Sequence, residues 1–284
     1  MIDFDNHDYP SLGVNLFASL DHRLATESAV LVMVASAHGS VPREVGAWMA
    51  VFAQGEVGTI GGGQLEWQAM AQSRQALQGL AVLPPLHRVA LGPSLGQCCG
   101  GAVELCFELI SAQDLPLLQQ RLMPVLTPVA LFGGGHVGRA LVEVLCRLPF
   151  AVRWIDSRDE VFPAHLPEQV LTEHSDPVQA AVADLMPQSQ VLIMSFSHAQ
   201  DLDVVAACLL RLRSQDDLPF IGLIGSATKW ATFQRRLREK GFAEEEIQRI
   251  TCPIGLPGIS GKQPDVIAVS VAAQLLKQSG SDPN

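Results

Sequence analysis

An α/β fold, with a small N-terminal α+β domain ahead of a doubly wound parallel sheet, follows from three observations. The stretch Leu131-Phe-Gly-Gly-Gly-His-Val-Gly-Arg-Ala-Leu141 passes from an apolar run through a glycine-rich turn into an amphipathic segment, and Gly133, Gly135 and Gly138 fit the spacing G-x-G-x-x-G. Glycines are needed there for a tight turn, for backbone N–H groups to approach a phosphate, and for close packing of helix on strand. Next, Ala151-Val-Arg-Trp-Ile-Asp156 is a second apolar run ending in an acid, near the distance of roughly 20 residues at which a carboxylate binds ribose. Finally, strand and helix patterns alternate from residue 128 onwards, as a parallel sheet with crossover helices requires. The C-terminal part is therefore expected to be Rossmann-like.

The chain has 284 residues, of which 48% are hydrophobic, enough for two cores. Its formal charge is −10, from 29 acids and 19 bases, with no basic run longer than Arg235-Arg236. Nucleic acid and anionic membrane are thus excluded as main partners, while a small anionic ligand needs only local donors. The N-terminus is acidic where a secretory signal is basic, and no apolar run reaches about 18 residues, so a cytoplasmic location is expected. The six cysteines form no C-x-x-C pair, which points to reduced thiols rather than a zinc site or a disulfide framework.

Three regions are expected: an α+β domain over residues 1–110, a linking helix over 111–127, and the Rossmann-like domain over 128–284. In the first, residues 12–23 read as a helix and 29–36 as a buried strand, from the continuous β-branched apolar run. Residues 47–53 and 57–60 read as strands around a turn at Gln54-Gly-Glu56. Gly61-Gly-Gly63 opens a helix to about residue 80, which Pro84-Pro85 ends. Residues 87–91 and 101–110 are strands around the loop Gly92-Pro-Ser-Leu-Gly-Gln-Cys-Cys-Gly-Gly101, and alternation in the second marks it as half-exposed and antiparallel. In the last region, 191–195 and 220–224 read as strands and 202–213 as a helix. A further helix stops at Gly241, and a final one opens on Pro264.

Several loops carry candidate chemistry. Adjacent Cys98 and Cys99, framed by Gly96, Gly100 and Gly101, suit a thiolate facing a soft partner such as a transition metal or a sulfur donor, or two small buried side chains. Arg43, in a loop with Gly39 and Gly46, can clamp a phosphate or carboxylate, or lie on the surface. Gly61, Gly62 and Gly63 at a helix start can cradle an anion through free N–H groups, or make a tight turn. Ser197, His198 and Asp201 follow a strand at the carboxyl edge where open α/β sheets bind ligands, with Asp201 equally suited to cap a helix. Ser226 and Lys229 hold the corresponding place after the next strand. These loop residues make no Ser/His/Asp triad on a nucleophile elbow, and the H-E-x-x-H motif is absent from the sequence.

Taken together, Gly39-Ser-Val-Pro-Arg43, Gly58-Thr-Ile-Gly-Gly-Gly-Gln-Leu-Glu66, Gly96-Gln-Cys-Cys-Gly-Gly101, Phe132-Gly-Gly-Gly-His-Val-Gly138, Gly222-Leu-Ile-Gly-Ser226 with Lys229, and Pro253-Ile-Gly-Leu256 resemble the xanthine dehydrogenase accessory proteins of the XdhC/CoxI type over nearly the whole chain. Val41 stands where that family often has threonine, which removes a hydroxyl but leaves Pro42 and Arg43. The resemblance implies a molybdenum-cofactor chaperone and not an enzyme. It would bind the molybdopterin form of the cofactor, protect it while its terminal sulfido ligand is installed, and deliver it to a xanthine dehydrogenase apoenzyme. A cysteine desulfurase as sulfur donor, a homodimer, and a nucleotide as second ligand belong to the same expectation. On this reading Cys98 or Cys99 lies near the metal, and Gly133, Gly135 and Gly138 hold phosphate.

Two rivals stand beside it. An NAD(P)-dependent oxidoreductase would use Asp156 on the adenosine ribose and His198 as acid–base, but leaves the first domain without a part. A sensor whose Rossmann shell binds nucleotide only to regulate contacts is the other.

Overall fold

The computed structural model describes residues 14–91 and 100–280, which divide into two compact units, residues 1–124 and 125–284. Cys98 and Cys99 lie outside the described residues.

The first unit is built on one antiparallel sheet. Its strands are β1 (Ala29–His38), β2 (Trp48–Val51), β3 (Glu56–Gly58), β4 (Leu86–Ala90) and β5 (Ala102–Ile110), in the order β3-β2-β1-β5-β4. The apolar run of β1 alternates between two cores because side chains alternate along a strand. Val30, Val32 and Val34 join Met49, Val51, Val103 and Leu105 beneath Leu65 and Ala69 of α2 (Gly63–Leu77). Ala29 and Leu31 join Ala50, Phe52 and Ile110 beneath Leu20 and Leu24 of α1 (Val14–Leu24) and Leu118 and Leu122 of α3 (Leu115–Leu122). A central strand covered on both faces explains why β1 reads as continuously apolar.

The expected linking helix is shorter than its segment. Residues 111–127 form a 3-10 turn at Ala112–Asp114 and then α3, whose i, i+4 pair Leu118 and Leu122 packs into the core of the first unit. The strand expected over residues 57–60 ends at Gly58, where φ is +86° and the chain turns into the triple-glycine loop.

The second unit is an all-parallel sheet of β6 (Thr127–Phe132), β7 (Phe150–Asp156), β8 (Val170–His174), β9 (Gln190–Ile193), β10 (Phe220–Leu223) and β11 (Ile250–Thr251), ordered β11-β10-β9-β6-β7-β8. Counted within the unit this is 3-2-1-4-5-6 read from β8, the doubly wound dinucleotide-fold order whose direction reverses between β6 and β9. On one face α4 (His136–Leu145) and α8 (Pro264–Ser279) cover Leu131, Val152 and Leu192. On the other, α5 (His198–Gln215), α6 (Ala227–Glu239), α7 (Glu244–Ile247) and a 3-10 segment, Val178–Asp184, cover Phe132, Ile193 and Ile221. Gly241, with φ +86°, ends α6 as expected. Strands β8 and β11 were not expected: the first is an edge strand with Leu171 69% exposed, and the second has two residues, so neither carries a long apolar run. No helix of the described residues is long and apolar enough to cross a membrane.

Candidate functional site

The carboxyl edge of β6 is built as its glycine spacing requires. Gly133 has φ +127°, and any Cβ there would collide with the carbonyl of Met194 at the end of β9. A Cβ on Gly138 would collide with the carbonyl of Gly133, so strand and helix approach only because both residues are glycine. Gly135 differs from both. It is the N-cap of α4, makes no side-chain cap, and has open space where a Cβ would stand. The N–H groups of the first turn of α4 thus meet that space with the positive end of the helix dipole behind them.

Asp156, at the end of β7, is turned inward. It is 2% exposed, and its Oδ2 accepts from the N–H of Gly134 at 2.6 Å and from Nη2 of Arg158 at 3.0 Å. Its Oδ1 accepts from the N–H and Nε of Arg158, both at 2.9 Å. Burial pushes this carboxyl upward, but the Arg158 side chain, the two backbone N–H donors and the guanidinium charge outweigh it and hold it below the ordinary range. The acid at the position expected for a ribose ligand thus joins the glycine loop to Arg158 through both of its oxygens.

The edge of β9 and β10 holds a second cluster. Ser197, not Asp201, caps α5, accepting from the N–H of Gln200 at 3.2 Å. Asp201 is 2% exposed and pairs with Nζ of Lys229 at 2.6 Å. Ser226 caps α6 through the N–H of Lys229 at 3.2 Å. Cys252 belongs to the same neighbourhood, its Sγ 3.2 Å from where a Cβ on Gly225 would lie. Burial pushes this thiol up to about 11; nearby Lys229 lowers it and Asp201 raises it. His198 is exposed, its ring edge-on to Phe233 with centroids 6.4 Å apart.

In the first unit, three loops meet at one edge of the sheet. Pro42 lies against Gly61, where a Cβ would stand 2.6 Å from the proline Cβ and 3.4 Å from Cγ of Arg43. On the other side of this loop, a Cβ on Gly101 would collide with the carbonyls of His38 and Ser40. Arg43, Gly61 and the end of the Cys-Cys loop at Gly100 and Gly101 are therefore neighbours along one edge. Arg43 itself pairs with Glu44 at 3.1 Å, and this holds the Glu44 carboxyl below its usual range. The triple-glycine loop closes on its own side chains. Gly62 and Ile60 donate their N–H groups to Oε2 of Glu66 at 3.0 and 2.9 Å, Thr59 donates its hydroxyl to the same oxygen at 2.6 Å, and Gly61 donates to Thr59 at 3.1 Å. The N–H groups of Gly61 and Gly62 expected to cradle an external anion serve the chain's own side chains. Among the described residues no group of three or more His, Cys, Asp or Glu is placed to hold a metal ion.

Sequence reasoning missed Glu66, Arg158, Phe196 and Gln200. A signal existed for Arg158, two residues beyond the acid; the others take partners that spacing does not reveal.

A model described as the XdhC Rossmann domain matches residues 129–275, more than half of the chain, and one described as the XdhC and CoxI family matches residues 22–84. The chain belongs to the XdhC and CoxI family. It is 32% identical over 259 residues to an uncharacterized protein of Escherichia coli (strain K12), YqeB, an alignment covering 89% of this chain and 44% of that protein. The chain thus spans less than half the length of that relative. A solved structure described as a xanthine dehydrogenase from Bacillus halodurans superposes with a TM-score of 0.76 at 19% identity, covering 94% of this chain and 97% of that one. At that identity the likeness is one of fold.

Proposed function

We propose that this member of the XdhC and CoxI family is an accessory protein of xanthine dehydrogenase maturation, a carrier that holds the molybdenum cofactor during sulfuration and delivers it to the apoenzyme. The observation that carries the reading is the N-terminus of α4 in a family Rossmann domain, where Gly135 leaves open space and the first turn has no side-chain cap. That end fits the phosphate of a pyranopterin, which the free N–H groups and the helix dipole would hold. The soft end of the cofactor belongs to Cys98 and Cys99 on this reading, the adjacent thiols in a glycine-framed loop. When bound, the cofactor supplies the molybdenum–sulfur centre that the dehydrogenase uses. A cysteine desulfurase as sulfur donor and a dimer of this chain complete the proposal.

The nicotinamide oxidoreductase is less well supported, because the carboxylate it needs for ribose is engaged on both oxygens. Molybdenum and pterin content of protein purified without oxygen tests the carrier. The expected result is both in stoichiometric amount, lost in Gly135→Asp, which places a negative charge at the helix N-terminus, and in Cys98→Ala/Cys99→Ala. Protein that neither retains the cofactor nor takes it up and activates apo-dehydrogenase would overturn the proposal.

A further inference from the structure

An open sheet of this strand order takes a dinucleotide across the crevice between β6 and β9, with one nucleoside arm towards the end of β7 and its ribose hydroxyls on the acid there. In this chain that half of the crevice is filled by the protein's own groups. A carboxylate has about four acceptor positions, and Asp156 uses both oxygens on Gly134 and Arg158 in four hydrogen bonds. The Arg158 guanidinium, held flat by those bonds, lies over the ring of Phe196 at 4.3 Å. Beside it, Nε2 of Gln200 donates to Oγ of Ser157 at 2.8 Å.

Ser157 and Arg158 follow β7, Phe196 and Gln200 follow β9, and β6 runs between those strands. Both contacts therefore pass over the carboxyl end of β6. We propose that Ser157, Arg158, Phe196 and Gln200 form a clasp that closes the nucleoside half of this crevice and restricts it to phosphorylated ligands without a nucleoside arm. The proposal rests on the reading of the α4 N-terminus as a phosphate site, since Gly135 keeps its open space outside the clasp. A nucleoside entering from the β7 side would have to break charge-assisted bonds to Asp156 before meeting its carboxylate. A compact ligand held at the N-terminus of α4 breaks none of them.

Calorimetric titration of ADP and of NADP+ into the full chain tests this, with wild type beside Phe196→Ala and Arg158→Ala/Phe196→Ala. The single variant removes a ring that is 66% exposed, so its fold should persist. The double variant also frees Asp156. Wild type is expected to give no saturable binding up to about 1 mM, and the double variant to bind ADP at least about tenfold more tightly than that limit. Saturation of wild type below about 0.1 mM by either nucleotide, or variants that keep the wild-type circular dichroism and still reject both, would overturn the clasp. Molybdenum content measured on the same preparations separates the two proposals: protein devoid of cofactor that nonetheless gains ADP binding when opened fails the carrier and keeps the clasp.

Discussion

Nζ of Lys229 lies 2.6 Å from Oδ2 of Asp201, with the two side chains only 11% and 3% exposed. The pair ties the first turn of α6 to that of α5, and each partner also reaches backbone. Lys229 donates to the carbonyl of Ile224 at 2.8 Å, and Oδ1 of Asp201 accepts from the N–H of Ser195 at 2.7 Å. The carboxyl edges of β9 and β10 are thereby locked together behind the crevice. Removing one partner strands the other charge, so Lys229→Met or Asp201→Asn is expected to lower unfolding stability by about 3–5 kcal/mol. Lys229→Met with Asp201→Leu should recover part of that loss, since no charge is stranded but the N–H of Ser195 loses its acceptor. Urea denaturation reads all three, and single variants as stable as wild type would refute a structural role for the pair.

The glycine loop separates packing from binding. Gly138→Ala places a methyl against the carbonyl of Gly133, in a contact that neither backbone can relieve without parting helix from strand. A loss of about 1–3 kcal/mol is expected from such overpacking. Gly135 has φ −72° and open surroundings, so Gly135→Ala should stay within about 0.5 kcal/mol of wild type. The same methyl stands where a phosphate would approach, and cofactor content should fall in this variant despite its intact stability. Equal loss of stability in the two variants would contradict the geometry.

What was legible in the sequence follows from range. The glycines, the strand-to-helix turn and the caps at Ser226 and Gly241 are local, and their spacing is itself the signal. The direction of a side chain at a sheet edge is not local. Asp156 stands where a ribose acid belongs, yet Gly134, 22 residues earlier, and Arg158 turn it inward. Asp201 has the position of a helix cap, but its partner lies 28 residues on, and Ser197 takes the cap. Glu66 reads as an ordinary first-turn acid of a helix, and only the return of the chain at Thr59 to Gly62 makes it the acceptor for that loop. Leu118 and Leu122 spell a helix without saying which core they enter.

The inward carboxylate also fixes a pH dependence. The folded value of Asp156 lies below the ordinary aspartate range, because the Arg158 and backbone hydrogen bonds outweigh burial. A depressed folded value means that ionised Asp156 stabilises the fold in full above the unfolded value of about 3.9 and ceases to do so as pH falls through the folded value. Asp156→Asn keeps the shape but lacks the charge, so it should be less stable than wild type at pH 6. The gap between the two should narrow as pH drops below about 4. Other depressed carboxyls, such as Asp217 beside Arg211 and Glu246 at about 2, are common to both proteins and cancel in the difference. Urea unfolding of the pair across this range is the measurement, and a gap that stays constant down to acid pH would mean that Asp156 holds its loop by shape alone.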